Sequence, residues 1–350
     1  MKSIYQFLFL FVVLLLIAGT VVLVRFIKKG FTLRKPAFAQ YKRLRKKNAL
    51  ITNRVFTKQD IANNILWAIT YSFLFIVCAI QVYIIFWMFF SSFKDDIDMF
   101  LDMFGLPFIN NLKFENYKTV LKLIKITIYS NKVGVVEYNM WDMAYNSVLI
   151  AVLLPIKSSV VAVSTAYVLS KYNFGLKKFL LSVNLFVIVM PGISTLASQL
   201  KIAHFVGTYD NLLMQTLLGA HPFGFNLLIY LSMFNAIDKA YMEAAQIDGA
   251  GHFTVFVKIM LPMIAPTVFV FYILAVLGGW SNYEITLIWL PSYPNLARGI
   301  YEFQHNTSLF GATMPQVLAG FIIISIPSII FYLFNQRLIA SKMIVGGLKG

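Results

Sequence analysis

The sequence predicts an all-α, polytopic membrane protein, and three observations carry that reading. Hydrophobic residues make up 59% of the 350-residue chain and charged ones only 13%, against roughly a quarter charged in ordinary soluble domains. Apolar runs long enough to cross a bilayer core of about 30 Å recur along it. Lys and Arg, which give a formal net charge of +16, gather in the turns between those runs, where they set orientation and meet anionic lipid. That placement argues against nucleic acid as the partner of the basic charge. The single cysteine, Cys78, lies inside an apolar run, which excludes an intramolecular disulfide and a cysteine-based metal site.

The first run, about Ile4 to Phe26, is uncharged until Arg25. It exceeds the roughly 7–15 residues of a signal-peptide core and no small-residue cleavage site follows, so residues 1–27 are read as an N-terminal transmembrane helix. Residues 28–62 form a basic loop: eleven Lys or Arg and no acid lie between Lys28 and Lys58, which places it in the cytoplasm. Lipid headgroups account for its charge, with a regulatory or partner-binding surface as the alternative, and Pro36 argues against one continuous helix through it.

The second span covers about Asn64 to Phe90, with Trp67 and Trp87 at interfacial positions. Residues 91–142 carry seven acids and six bases, a mixture that suits the external side. Within them Asn111 to Tyr129 predicts a small external helix or two. Asn146 to Leu169 is the third span, closed by the basic turn Ser170 to Lys178, which is internal. Leu180 to about Leu200 is the fourth, kinked at Met190-Pro191-Gly192. Gly207 to Asn211 turns outside. Leu212 to Phe234, the fifth, carries His221-Pro222 and Gly224 near its middle. Met263 to Leu287 is the sixth, Pro291 to Gly311 returns outside, and Met314 to Phe334 is the seventh, followed by Arg337 and Lys342 and a cytoplasmic tail, 341–350. Every basic turn then falls on one side.

On that side lies the stretch around which the chain is organised, Glu243 to Pro266, EAAQIDGAGHFTVFVKIMLPMIAP. It predicts two short helices joined by a tight turn. Glu243 suits the positive end of the first helix dipole, and Ala244 and Ala245 leave a bare face for close approach. Gly249, after Asp248, can take the positive φ of the turn, and Pro262, after Leu261, is allowed in the first turn of the next helix. The pattern Glu243-Ala244-Ala245, Gly249, Ile259, Leu261-Pro262 resembles the EAA loop of ABC-importer permease subunits, the coupling helix that enters a cleft of an ATP-hydrolysing partner.

From about Asn146 onward the order of features is similar to the sugar-type, maltose/maltodextrin-like branch of these permeases. Asn146-Ser147 opens a span, then come Pro191-Gly192, Tyr209-Asp210-Asn211, the EAA loop, Gly279-Trp280 and the terminal Gly346-Gly347-Leu348-Lys349-Gly350. Phe114-Glu115-Asn116-Tyr117 resembles a short element that precedes the second core helix. The resemblance implies a six-helix permease core over residues 63–340, with the coupling loop at 236–262, the N-terminal transmembrane helix being extra to it. It also implies a multi-pass protein of the bacterial cytoplasmic membrane, working with a second permease subunit, two ATPase subunits and an extracellular solute-binding protein. ATP and Mg would be bound by the ATPase, and no cofactor by this chain. Glu243 would make polar contact with the ATPase, Ala244 and Ala245 allow its approach, Asp248 and Gly249 form the turn, and Leu261 and Pro262 tie the loop to the sixth span. One departure stands out: Ser281 follows Trp280 where the family has Asn, and Asn282 comes one place later.

Trp280, Asn282, Tyr283 and Glu284 read as a polar, aromatic cluster deep in a late span, candidates with Asn146 for the substrate path, since ionisable groups in membrane segments mark pathways and sugars favour aromatic faces. The alternative is a Glu284 hydrated at the external interface with Trp280 packing. Ser158 and Ser159 can line a pore, although small polar residues more often join helices. His204, His221, His252 and His305 show no metal-ligand spacing. The chain contains no G-x-x-x-x-G-K-[ST] and no hydrolytic constellation, so an enzyme is not expected. The solute stays open between a carbohydrate and a peptide, polyol or glycerol phosphate. The rivals in other classes are a non-transporting membrane scaffold and a secondary transporter, the latter expected to show charges within several spans and a repeat of halves.

Overall fold

Apolar runs without β-branched alternation propagate as helices, and the polar turns end them. The computed structural model describes residues 58–105, 107, 112–130, 134–190, 196–219, 222–305 and 311–343. The expected first span, the basic loop up to residue 57, Pro191-Gly192, His221 and the glycine-rich tail lie outside the described residues. The chain divides into two units, Met1–Asn116 and Tyr117–Gly350.

In the first unit, α1 (Lys58–Ser91) holds the apolar stretch Leu66–Ser91, none of whose most apolar window is buried within the chain. Its end is tied down by polar bonds. The buried Lys94 donates through Nζ to the carbonyls of Asp102 (2.5 Å) and Met103 (3.3 Å), beyond the short helix α2 (Asp96–Leu101). Asn116 donates through Nδ2 to the carbonyls of Ser92 (2.9 Å) and Lys94 (3.0 Å). Burial lowers the Lys94 ammonium pKa, and the nearby carboxylates of Asp102 and Asp98 oppose that shift.

The expectation of an all-α chain needs correction. After α3 (Glu115–Leu123), which crosses the unit boundary, comes an antiparallel hairpin, β1 (Lys125–Ser130) with β2 (Gly134–Asn139), Lys125 opposite Asn139 and Ser130 opposite Gly134. From Ile124 to Tyr129 burial alternates residue by residue, with Ile124 and Ile126 inside and Lys125, Thr127 and Tyr129 outside. That period of two, carried by β-branched residues, is a strand pattern, so the predicted external helices shrink to α3 alone.

Helix α4 (Met140–Lys171) starts in a capping box: Asn139 Oδ1 accepts from the amides of Trp141 (2.9 Å) and Asp142 (3.2 Å), and Asp142 accepts from the Asn139 amide (3.0 Å). The expected fourth and fifth spans are each a pair of shorter helices, α5 (Lys177–Val189) and α6 (Leu196–Val206), then α7 (Leu212–Leu218) and α8 (Phe225–Ala236). The residue before a proline disfavours the helical region, and Met190, before Pro191, is extended at φ −69°, ψ 125°. The second break falls between Gly219 and Gly224, whose φ of 142° favours glycine.

The chain continues with α9 (Ala240–Ile247), α10 (His252–Ser281), α11 (Leu296–His305) and α12 (Met314–Met343). Among the described residues four helices are long and apolar enough to cross a membrane: Leu66–Ser91, Met140–Lys171, His252–Ser281 and Met314–Ser341. The protein is therefore a mostly helical membrane component with several candidate spans.

Helix α4 packs on α8 and α10. A Cβ added to Gly279 of α10 would meet the Ala151 backbone at 3.4 Å, the close approach that small residues permit between membrane helices. Each end of α4 enters a separate apolar core. At one end Ala162, Ala166 and Tyr167 join Tyr230, Phe234, Val255 and Met260. At the other Met140 and Met143 join Ile124, Ile126, Ile300, Phe303 and Val317.

Candidate functional site

Helix α9 projects from the first of these cores as a knob. Asp238 Oδ1 accepts from the Ala240 amide at 3.1 Å, and Glu243 lies in the first turn, where its charge suits the helix dipole. The helix ends in a Schellman turn: the Ala250 amide donates to the Ala245 carbonyl (2.9 Å), the Gly249 amide to that of Gln246 (3.0 Å), and Gly249 sits at φ +84°. Nothing lies within 4 Å of the Cβ position at Gly249, so it is the backbone, not space, that requires glycine there.

The second predicted helix is not short. It runs unbroken as α10 from His252 to Ser281, through a π-helical turn at Phe256–Met260. Pro262 lacks an amide hydrogen and its ring crowds the carbonyl four residues earlier, that of Lys258; the widened turn directly before it relieves this inside a continuous helix. Knob and span thereby become one piece, with Val255, Met260 and Ile264 buried and Leu261 packed against the same core.

The two alanines differ. Ala244 is exposed, as are Glu243, Asp248 and Gly249, but Ala245 is 7% exposed and packs inward. The reading of Ala245 as part of the bare outer face is therefore corrected: one helical step of about 100° turns it from the surface into the core. Bulky apolar side chains occupy the outer surface instead, Tyr241 at 54%, Ile247 at 86% and Phe253 at 77% exposure.

The end of α4 grips the knob. Lys171 Nζ donates to the Ile237 carbonyl at 2.6 Å, Tyr172 Oη lies 3.0 Å from His252 Nδ1, and Gln246 Nε2 lies 3.3 Å from the same nitrogen. The Tyr167 ring lies against that of Phe256, tilted by 34°, with centroids 4.7 Å apart. A cavity of about 560 Å³ opens beside these rings, lined by Ser164, Tyr167, Val168, Tyr172, His252, Phe253 and Phe256.

At the far end of α4 the remaining predicted residues fall into a polar framework. Trp280 Nε1 donates to the Ile324 carbonyl (3.0 Å) and its ring packs on the second core. Helix α10 ends at Ser281 with Asn282 as its cap, so Asn282, Tyr283 and Glu284 lie beyond the helix rather than deep in a span. Asn282 Oδ1 accepts from the Ile285 amide (3.1 Å), Tyr283 stacks on Tyr301 at 4.3 Å, and Glu284 is exposed. Asn146 is buried and donates to the Pro294 carbonyl (3.0 Å), a structural tie rather than a pore-lining group.

Several contributors were not among the expected site residues. Asp210, at φ +51°, accepts from the Ser292 amide (2.8 Å) and hydroxyl (2.6 Å), while its own amide donates to the Trp289 carbonyl (2.8 Å). Tyr138 donates to the Ser292 carbonyl (3.0 Å). Arg298 donates to the carbonyls of Thr286 (3.0 Å) and Pro291 (2.8 Å) and pairs with Glu302 (2.7 Å). Lys157, within α4, donates to the Gln215 carbonyl of α7. Its signal was a lone charge two residues after Pro155 in an apolar run, which marks a residue held for a reason. Among the described residues no cluster of three or more His, Cys, Asp or Glu side chains could hold a metal ion.

Residues 158–345, 188 of 350, match the family model described as "Binding-protein-dependent transport system inner membrane component". The chain belongs to this family. It is thus a non-catalytic transport component of the inner membrane, a permease subunit. Over 257 residues the permease is 26% identical to the maltodextrin transport system permease protein MdxG of Bacillus subtilis (strain 168), covering 71% of this chain and 84% of that one. Its fold matches a chain of a bacterial ABC transporter involved in the import of the acidic polysaccharide alginate, with a TM-score of 0.59 and 20% identity over 81% of this chain and 99% of that one. A second match, TM-score 0.53 and 14% identity over 82% and 99%, is a bacterial alginate ABC transporter in complex with a pentasaccharide-bound periplasmic protein.

Proposed function

We propose that this permease subunit pairs with a second permease to form the path for a carbohydrate delivered by an extracellular binding protein, driven by two ATPase subunits that bind ATP and Mg. The core of six membrane-crossing segments includes the two broken ones, α5–α6 and α7–α8, since irregular backbone at membrane depth is tolerated where it is enclosed or lines a cavity. The carbohydrate reading rests on the maltodextrin and alginate transport named for the similar proteins; a peptide, polyol or glycerol phosphate is the alternative.

The observation that carries the coupling assignment is the continuity of the knob with a span. Exposed Glu243, Ala244, Asp248 and Gly249 stand on a helix and turn that lead without a break into α10. Closure of the ATPase pair on ATP binding would move this rigid piece and, through Pro262, tilt the span it belongs to. Tyr283 and Glu284, beyond the helix end, keep the role of substrate-path candidates, while Trp280, Asn282 and Asn146 serve to hold that corner.

Co-expression with the adjacent partner proteins, purification in mild detergent and ATPase assays with a sugar panel test this reading. Turnover that rises with one sugar and the binding protein is the expected result; no co-purifying ATPase would overturn it. Gly249→Asp puts a side chain at positive φ, a strain of about 1–2 kcal/mol, and adds charge to the outer face. Uptake is expected to fall at least about tenfold while the subunit remains in the membrane at its normal level. Normal uptake by this variant would remove the coupling role.

A further inference from the structure

We propose that Lys171 is a positioning residue for coupling: it fastens the base of the knob to α4, so that motion of the knob is delivered to α4 as well as to α10. This rests on the coupling role proposed for the knob. Lys171 is the last residue of α4 and is 7% exposed. Its ammonium donates at 2.6 Å to the carbonyl of Ile237, the C-cap of α8. A cation on the last free carbonyls of a helix meets both an unsatisfied acceptor and the negative dipole end. The next residue, Asp238, accepts from Ala240, the first residue of α9. A single side chain therefore fixes the corner at which one helix ends and the knob begins.

Further contacts from the same end of α4 reach the knob's other side. Tyr172 meets His252 at 3.0 Å, at the start of α10, and the Tyr167 hydroxyl points to the Met242 sulfur at 4.0 Å. The knob is thus held at its entry by Lys171 and at its exit by Tyr172. Without the first grip a thrust on Glu243 or Gly249 would bend the Ile237–Lys239 corner instead of moving α4. Arginine can reach the same carbonyl; methionine keeps the apolar stem and removes the donor.

The test is the assembled importer in liposomes with the sugar that stimulates the unaltered complex, reading ATP hydrolysed and sugar imported together. Lys171→Met is expected to assemble normally and hydrolyse ATP within about twofold of the unaltered complex, yet import about tenfold less sugar per ATP. Lys171→Arg is expected to recover most of that ratio. A Met variant with an unchanged ratio overturns the proposal. So does one that fails to assemble, or that loses hydrolysis and import in parallel, because Lys171 then serves folding or docking alone. Gly249→Asp, run alongside, separates the two ideas: if it imports normally, the coupling role of the knob fails whatever Lys171 does.

Discussion

The two ends of α4 are built by different chemistry. At the knob end, a contiguous stretch folds on itself, with a Schellman turn, a π turn and a proline all within Ala240 to Pro262, over an apolar core of Tyr230, Phe234 and Met260. At the hairpin end, order comes from polar bonds between residues far apart in the chain. Ser292 and Asp210 are separated by 82 positions, Asn146 and Pro294 by 148, Ser147 and Leu296 by 149, and Tyr138 and Ser292 by 154. In the proposed coupling the knob moves as one body and its local bonds travel with it, while Lys171 and Tyr172 tie it to α4 across 66 and 80 positions. The hairpin end holds its loop against an apolar core of its own with these long-range bonds, and there each buried polar group is stable only with its partner in place.

The largest effect separating the ends belongs to Arg298, whose side chain is 11% exposed. Arg298→Met removes the donor for the carbonyls of Thr286, in a π-helical turn over Ile285–Trp289, and of Pro291, and leaves Glu302 unpaired, an expected loss of about 3 kcal/mol. Lys cannot replace it, because Nε and Nη1 serve different partners in a fixed fork. Thermal unfolding of the detergent-solubilised subunit should show the loss for both variants. A Lys variant as stable as the parent would mean that the bonds to the carbonyls of Thr286 and Pro291 contribute little.

A smaller effect resolves the knob itself. Ala245→Leu adds volume to a packed core and is expected to destabilise the subunit by about 1–3 kcal/mol. Ala244→Leu, on the exposed side, should leave unfolding unchanged and, if the proposed docking holds, reduce co-purification of the ATPase, since it enlarges the exposed face alone. Equal destabilisation by both would contradict the inward orientation of Ala245.

This contrast explains what the sequence could reveal. Glu243, Gly249 and Pro262 each suit a local backbone need, a charge at a helix start, a positive φ, a missing amide, so a helix, a tight turn and a second helix could be read there, although the second continues to Ser281. Ala245 could not be assigned a side, because adjacent alanines differ only in which way a packed helix is turned. The alternation Ile124, Ile126 is a strand pattern, and it replaces the end of the small external helix or two expected across Asn111 to Tyr129. The corner from Asn282 to Glu284 was misplaced because apolar residues continue to Leu290 although the helix stops at Ser281, held there by Asn295, Nδ2 on the Asn282 carbonyl at 2.8 Å. The polar run Ser281 to Glu284 marks this stop, but the apolar residues after it read as a continuation of the span.

The gentlest probe of the hairpin end is pH. Burial first, then the negative charge of Tyr293, Asp142 and Asp210 nearby, raises the Tyr138 phenol above its ordinary value of about 10. Above pH about 10 the unfolded chain ionises this phenol while the folded one still holds the proton and donates it to the Ser292 carbonyl. The folded state then binds more protons, so its stability falls as pH rises from the unfolded value through the folded one. Tyr138→Phe removes the bond, at about 1 kcal/mol near neutrality, and removes this contribution to the alkaline slope. Unfolding temperatures of the two proteins should therefore stay apart below pH about 10 and converge as pH rises above it. Parallel curves across that range would show that the Tyr138 hydroxyl does not hold the hairpin to the loop at Ser292.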